Sequence, residues 1–207
     1  MSSLLDYIEL VDATESASRR GRPRSDKATK AVLDSVHKLL LTNPVRDVSI
    51  EGIARKAKVG KTTIYRWWPS KVAIILDMLN TQIGDMATSP RFDTHAEAVQ
   101  QFMDRFLRLV KGRNGKILIE TLAEAQADAD ALTLFYERFM LQHEQKLASL
   151  IEAGKKSGEF RQSIDTGMAV DMIVGAVVYR LQSGADTLDA DFVSELPQQA
   201  VHLLSAR

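Results

Sequence analysis

From Lys27 to the end of this 207-residue chain, apolar residues return every three or four positions, and no stretch alternates as a half-buried strand does. That periodicity points to an all-α fold, and proline and glycine punctuate it. The first helix is expected over residues 27–40, with Ala31, Val32, Ser35, Leu39 and Leu40 near one face and Asn43-Pro44 as its stop. Ser49 is placed to cap a second helix whose buried side is Ile53, Ala54 and Ala57. Lys58-Val59-Gly60 turns into a third helix over about 61–68. Pro69-Ser70 breaks it before a fourth helix, over about 70–88, that carries Val72, Ile75, Leu76 and Leu79.

The rest reads as a helical bundle. Residues 93–111 bury Val99, Phe102, Met103, Phe106, Leu109 and Val110. Gly112-Arg113-Asn114-Gly115 is expected to be a turn, followed by a helix over 116–127. A long helix over about 130–156 ends at Lys155, Lys156 and Gly158, cations and a glycine where a helix C-terminus favours them. Residues 165–182 are apolar on more than one face, and 192–204 form the last helix, with Pro197 near its first turns.

Charge divides the chain further. The formal net charge is +0, but residues 16–71 carry 14 Lys and Arg against four acids, and the first 15 residues carry four acids and no base. A basic block on an acidic remainder is the charge pattern of a nucleic-acid-binding module joined to something else. Three parts result: an extension over 1–26 with a basic arm, a DNA-binding head over 27–71, and a regulatory and dimerisation body over 72–207. The role of residues 1–15 stays open.

Other classes fall away. With no cysteine in the chain, thiolate metal sites, disulfides and a cysteine nucleophile are excluded. No apolar run spans a bilayer and the opening residues lack a cationic leader, so a cytoplasmic location is expected. None of the four histidines has Glu three residues before it, as di-iron bundles need, and no phosphate loop or nucleophile elbow is present. We expect no enzyme, metal or cofactor.

Three short helices with a tight turn between the last two make a helix-turn-helix. Ala54 is small where helices two and three cross, Val59 enters between them, and Ile64 and Trp68 point inward. Lys61, Thr62, Thr63, Tyr65, Arg66 and Trp67 are left on or near outward faces. Lys61 and Thr62, at the start of the recognition helix, are expected at base edges in the major groove. Thr63 and Tyr65 suit phosphate oxygens, Lys71 offers a point charge, and Ser49 completes the DNA-contacting set. In the arm, Arg20, Arg22 and Arg24 either lie in a narrow minor groove or serve a solubilising tail.

The run from Ser49 to Lys71 resembles the signature of the tetracycline-repressor (TetR) family. Ser49, Ile53, Ala54, Ala57, Val59, Thr63, Tyr65, Trp68 and Lys71 stand at the family's spacing. Two positions depart: Lys58 replaces the usual turn glycine and Gly60 the usual serine. The first costs roughly 1 kcal/mol if the turn is left-handed. Ser157-Gly158-Glu159-Phe160-Arg161, Asp165 and Val178-Tyr179-Arg180-Leu181 are similar to the regulatory domain of one subgroup. The resemblance implies a dimer and a small-molecule cavity.

Candidates for lining that cavity are Phe102, Met103, Phe106, Leu118, Leu122, Phe135, Phe139, Met140, Met172 and Tyr179, whose character suits a small, largely apolar effector, although any bundle core needs such residues. His143 is read as a solvated surface histidine. The all-round apolar character of residues 165–182 suggests pairing with a second copy through the last two helices. The reading is therefore a ligand-responsive repressor that binds a pseudo-palindromic operator on double-stranded DNA as a homodimer. The alternative is a constitutive helical DNA-binding protein without an effector.

Overall fold

The computed structural model describes residues 26–83, 92–184 and 188–206. Arg20, Arg22 and Arg24, and the expected last turn of the fourth helix, lie outside them. The described elements are α1 (Asp26–Leu40), a 3-10 turn (Val45–Asp47), α2 (Ile50–Ala57), α3 (Lys61–Trp67), α4 (Lys71–Ile83), α5 (His95–Val110), α6 (Arg113–Ala125), α7 (Ala129–Phe135), a π-helical segment (Tyr136–Met140), α8 (Leu141–Ser157), α9 (Thr166–Ser183) and α10 (Ala190–Leu204). Among the described residues the only β feature is an isolated bridge between Phe160 and Ser205. No described helix is long and apolar enough to cross a membrane.

Side-chain caps set most helix starts. Ser49, Thr94, Asp128, Asp165 and Asp189 each accept the backbone N–H three residues on, which satisfies one of the orphan donors of a helix N-terminus. Ser70 Oγ does the same for Ala73 N–H at 3.3 Å. Gly158 ends α8 at φ +81°, in the left-handed region where glycine pays no steric penalty.

The turn expected at Gly112 to Gly115 is shorter than the sequence suggests. Lys111 and Gly112 break the chain, and Arg113, Asn114 and Gly115 already belong to α6. Gly115 is required there by close packing: a Cβ would stand 1.9 Å from the Val110 carbonyl oxygen and 2.9 Å from Leu181 Cδ2. The long helix expected over 130–156 is likewise interrupted by the wider π turn between α7 and α8.

The hydrophobic core is continuous from Val32 to Leu204. In the head, α1 packs on α2 and on α4. In the body, α5 packs against α6, α8 and α10. Helix α4 belongs to both: Val72, Ala73, Ile74, Ile75, Leu76, Met78 and Leu79 are all buried, because α1 covers one side and α6, α7 and the π segment cover the other. A helix apolar on nearly every face needs such double cover.

Gly115→Ala should therefore lower stability by about 2–3 kcal/mol, as overpacking against fixed backbone does, read as a fall in the urea midpoint at unchanged slope.

Candidate nucleic-acid interface

The recognition helix α3 is placed by its neighbours before it touches anything else. Lys58 closes α2 in the left-handed region (φ 55°, ψ 40°), the conformation the family's glycine would supply, and Val59 N–H reaches the Ala54 carbonyl at 3.1 Å. Gly60 begins α3 with extended backbone and no side-chain cap. Ile64 and Trp68 are fully buried and Val59 is half-buried against the same core. Their inward placement turns Lys61, Thr62, Tyr65 and Arg66 to solvent, with Thr63 and Trp67 half-buried.

The exposed group is lightly held. Lys61 Nζ donates to Glu51 Oε1 at 3.0 Å, and that hydrogen bond holds the Glu51 carboxyl below its usual range. Both partners are solvent-exposed, so salt screens the pair and Lys61 exchanges it readily for another anion. Arg66 stacks its guanidinium 5.6 Å above the Trp67 ring, which in turn meets Trp68 edge-on at 5.7 Å. Ser49 Oγ is occupied by Gly52 N–H at 3.1 Å.

Lys71 departs from expectation. Its side chain is only 15% exposed, and Nζ binds the Val45 carbonyl at 2.9 Å and Glu124 Oε1 at 2.7 Å. It is a tie between head and body, already engaged by two acceptors of the chain itself. The sequence shows a lysine at the start of a helix. It does not show that Glu124 of α6 folds over it.

That tie is one of several which the sequence reading missed. Arg113 donates through Nε to the Leu40 carbonyl at 2.7 Å and through Nη2 to the Asn43 carbonyl at 2.7 Å. Glu120 Oε2 accepts Val45 N–H at 2.8 Å. One face of α6 thus satisfies the loop that closes α1. Deeper, Asp77 of α4 accepts Trp68 Nε1–H at 2.7 Å on one oxygen and Arg138 Nη1 at 3.1 Å on the other. Asn80 Nδ2 donates to the Arg138 carbonyl at 2.7 Å, and Gln142 Nε2 to Asn80 Oδ1 at 2.7 Å. The one legible signal was Asp77, a single carboxylate inside the apolar run Val72 to Leu79.

In the body, Phe102, Met103, Phe106, Leu118, Phe135 and Phe139 are buried in the core, and Leu122 and Met140 pack partly buried against it. Met172 and Tyr179 are not with them: at 54% and 71% exposure they lie on the outer face of α9 with Met168, because α9 buries Ala169, Val170, Ile173, Val174 and Val177 instead. His143 is also misplaced by the surface reading. It is buried between Phe106 (5.2 Å) and Phe139 (5.0 Å), and burial pushes its pKa from 6.5 down to about 4.

A basic tri-helical head with a tight turn, an outward recognition helix and a helical body is the architecture of a DNA-binding transcriptional regulator. The chain belongs to the TetR family: residues 32–78 match the model described as bacterial regulatory proteins, tetR family, and residues 90–200 match the tetracyclin repressor-like C-terminal domain. It is similar to the HTH-type transcriptional regulator YdeS of Bacillus subtilis, 30% identical over 88% of this chain and 92% of the relative. AqdR of Rhodococcus erythropolis is 25% identical over 92% of this chain and 89% of its own length. Among solved structures, the TetR family transcription regulator SCO0332 superposes with a TM-score of 0.71 at 28% identity, over 87% of this chain and all of that one. The family is one of regulators, not enzymes.

Two measurements check these placements. Lys71→Met should leave the slope of log affinity against log salt unchanged, since no phosphate contact is lost, while costing roughly 1–3 kcal/mol in stability; a slope reduced by about one would return Lys71 to the DNA. His143 binds its proton less readily when folded than when unfolded, so its contribution is complete above pH 6.5 and is lost as pH falls toward 4. That loss amounts to about 3 kcal/mol, and His143→Phe should flatten this part of the pH dependence of the urea midpoint.

Proposed function

We propose that the chain is a ligand-responsive repressor that binds a pseudo-palindromic operator as a homodimer. The observation that carries the DNA half is the recognition helix: Ile64 and Trp68 lock it inward, which leaves Lys61, Thr62, Tyr65 and Arg66 facing out beside the half-buried Thr63 and Trp67. In a major groove Lys61 and Thr62 meet base edges, while Thr63, Tyr65, Arg66, Trp67 and Ser49 at the neighbouring helix start meet the backbone. Arg20, Arg22 and Arg24 of the basic arm add phosphate or minor-groove contacts. A protein with this task works where the chromosome is, in the cytoplasm.

Dimerisation through α9 and α10 is supported by the exposed stripe of Met168, Met172 and Tyr179, spaced 4 and 7 residues apart on one face of α9. A second copy related by a two-fold axis would cover it and set two recognition helices about 34–36 Å apart, one turn of duplex. Head and body, divided near residue 71, then move relative to one another through α4, which both cores share. A small, largely apolar effector lodged among the body's phenylalanines acts only by binding one conformer better than the other. The rival reading, a constitutive DNA-binding protein, requires a body whose contents never alter DNA affinity.

Selection of bound fragments from genomic DNA tests the proposal, with an inverted repeat as the expected product. Lys61→Ala or Thr62→Ala should change which base is preferred at one position of each half-site, whereas Tyr65→Phe should weaken all sequences alike. An unchanged base preference in Lys61→Ala would remove that residue from the base-reading set.

A further inference from the structure

One buried polar atom of the body lacks a partner. Nε2 of His143 is shielded from solvent and makes no hydrogen bond. Its imidazole lies at 5.2 Å and 51° to Phe106 and at 5.0 Å and 62° to Phe139, and Phe102 stacks nearly parallel on Phe106 at 6.3 Å. A leucine or methionine would fill such a place at no desolvation cost, and a buried polar atom is ordinarily paired. A buried hydroxyl of the body, Thr121 Oγ1, obeys that rule by donating to the Ile117 carbonyl at 2.7 Å. The missing partner of His143 therefore calls for a group that the chain itself does not supply.

The backbone at this place is also unusual. Phe139 lies in the π-helical segment, and His143 follows four residues later on the same side. Single π turns within α-helices concentrate at functional sites. The same segment carries Arg138, which holds Asp77 and, through it, Trp68 at the end of the recognition helix. A molecule seated on His143 would thus press on the turn that grips the DNA-reading head.

We propose that His143 Nε2 is the polar anchor of an internal effector site walled by Phe102, Phe106 and Phe139, and that the site takes an uncharged aromatic molecule carrying one hydroxyl or carbonyl group. This rests on the reading of the chain as ligand-responsive. The imidazole, neutral in this surrounding, donates or accepts one hydrogen bond according to its tautomer. The stacked and tilted rings favour a flat apolar body. The walls offer no countercharge for an ionised carboxylate, which is thereby excluded.

The test uses the full chain and three fluorescent probes that share one ring system: naphthalene, 2-naphthol and 2-naphthoate. Naphthalene is the most apolar, so a purely greasy cavity would bind it best. We expect 2-naphthol to bind about tenfold or more tightly than either of the others, as a site with a buried hydrogen-bonding group discriminates. His143→Phe should erase that preference and His143→Gln should restore part of it. If the phenylalanine variant does not fold, the glutamine variant and the preference of the unaltered protein still decide. Equal affinity for naphthol and naphthalene, a preference that survives in His143→Phe, or no binding of any probe would each overturn the site. Operator affinity is measured beside it. Naphthol bound at His143 with DNA affinity unchanged would keep the site and overturn ligand control instead.

Discussion

The structure depends most on one carboxylate, Asp77. It sits half-sheltered within the apolar run Val72 to Leu79, where an ionised group needs partners on both oxygens. One partner is the Trp68 indole from the head and the other is the Arg138 guanidinium from the body. Neither half can supply both. The need to satisfy a single charge therefore fixes the end of the recognition helix relative to the π turn. Loss of either partner leaves the carboxylate partly unpaired, which costs far more than an exposed ion pair gains.

Helix α6 repeats the principle on the opposite flank. The loop after α1 exposes carbonyls of Leu40 and Asn43 and the N–H of Val45, and all three are taken up by side chains of α6. Lys71 closes the same seam by bonding Val45 and Glu124. The head is therefore not a bead on a linker. Its backbone groups are satisfied by the body, and a shift of α6 or of the π turn must be answered by the head.

Much of this fold was legible because caps and breaks are local. Ser49, Ser70 and Gly158 act where their chemistry acts in any helix, and Ile64 and Trp68 turn inward because they lie four apart on the apolar side of a short helix. Lys58 adopts the left-handed turn despite its Cβ, so the register of the motif holds. What stayed hidden are pairings across long sequence gaps. A lysine at a helix start reads the same whether it meets a phosphate or Glu124, and a histidine flanked by Met140, Leu141, Gln142 and Glu144 reads as surface until Phe106, from another helix, is seen beside it. Arg113 looked like part of a turn because glycines flank that stretch, and only the packing of Gly115 on the Val110 carbonyl shows that the helix has already begun.

The head's charge excess takes on a sharper meaning once burial is known. Lys61 and Lys71 each pair with one glutamate at about the same distance, 3.0 and 2.7 Å, yet they are not equivalent. The first pair stands in water, where salt and an approaching phosphate compete with Glu51 on equal terms. The second is sheltered and adds a backbone carbonyl, so releasing Lys71 would strand two acceptors at once. Net charge by block therefore overstates the cation supply for DNA, and burial decides which basic side chains are free to bind. By the same reasoning, part of the acidity of the body is not a solvated surface. Asp77, Glu120 and Glu124 hold the head in place, and the anionic body is in that sense a structural requirement of the cationic module it carries.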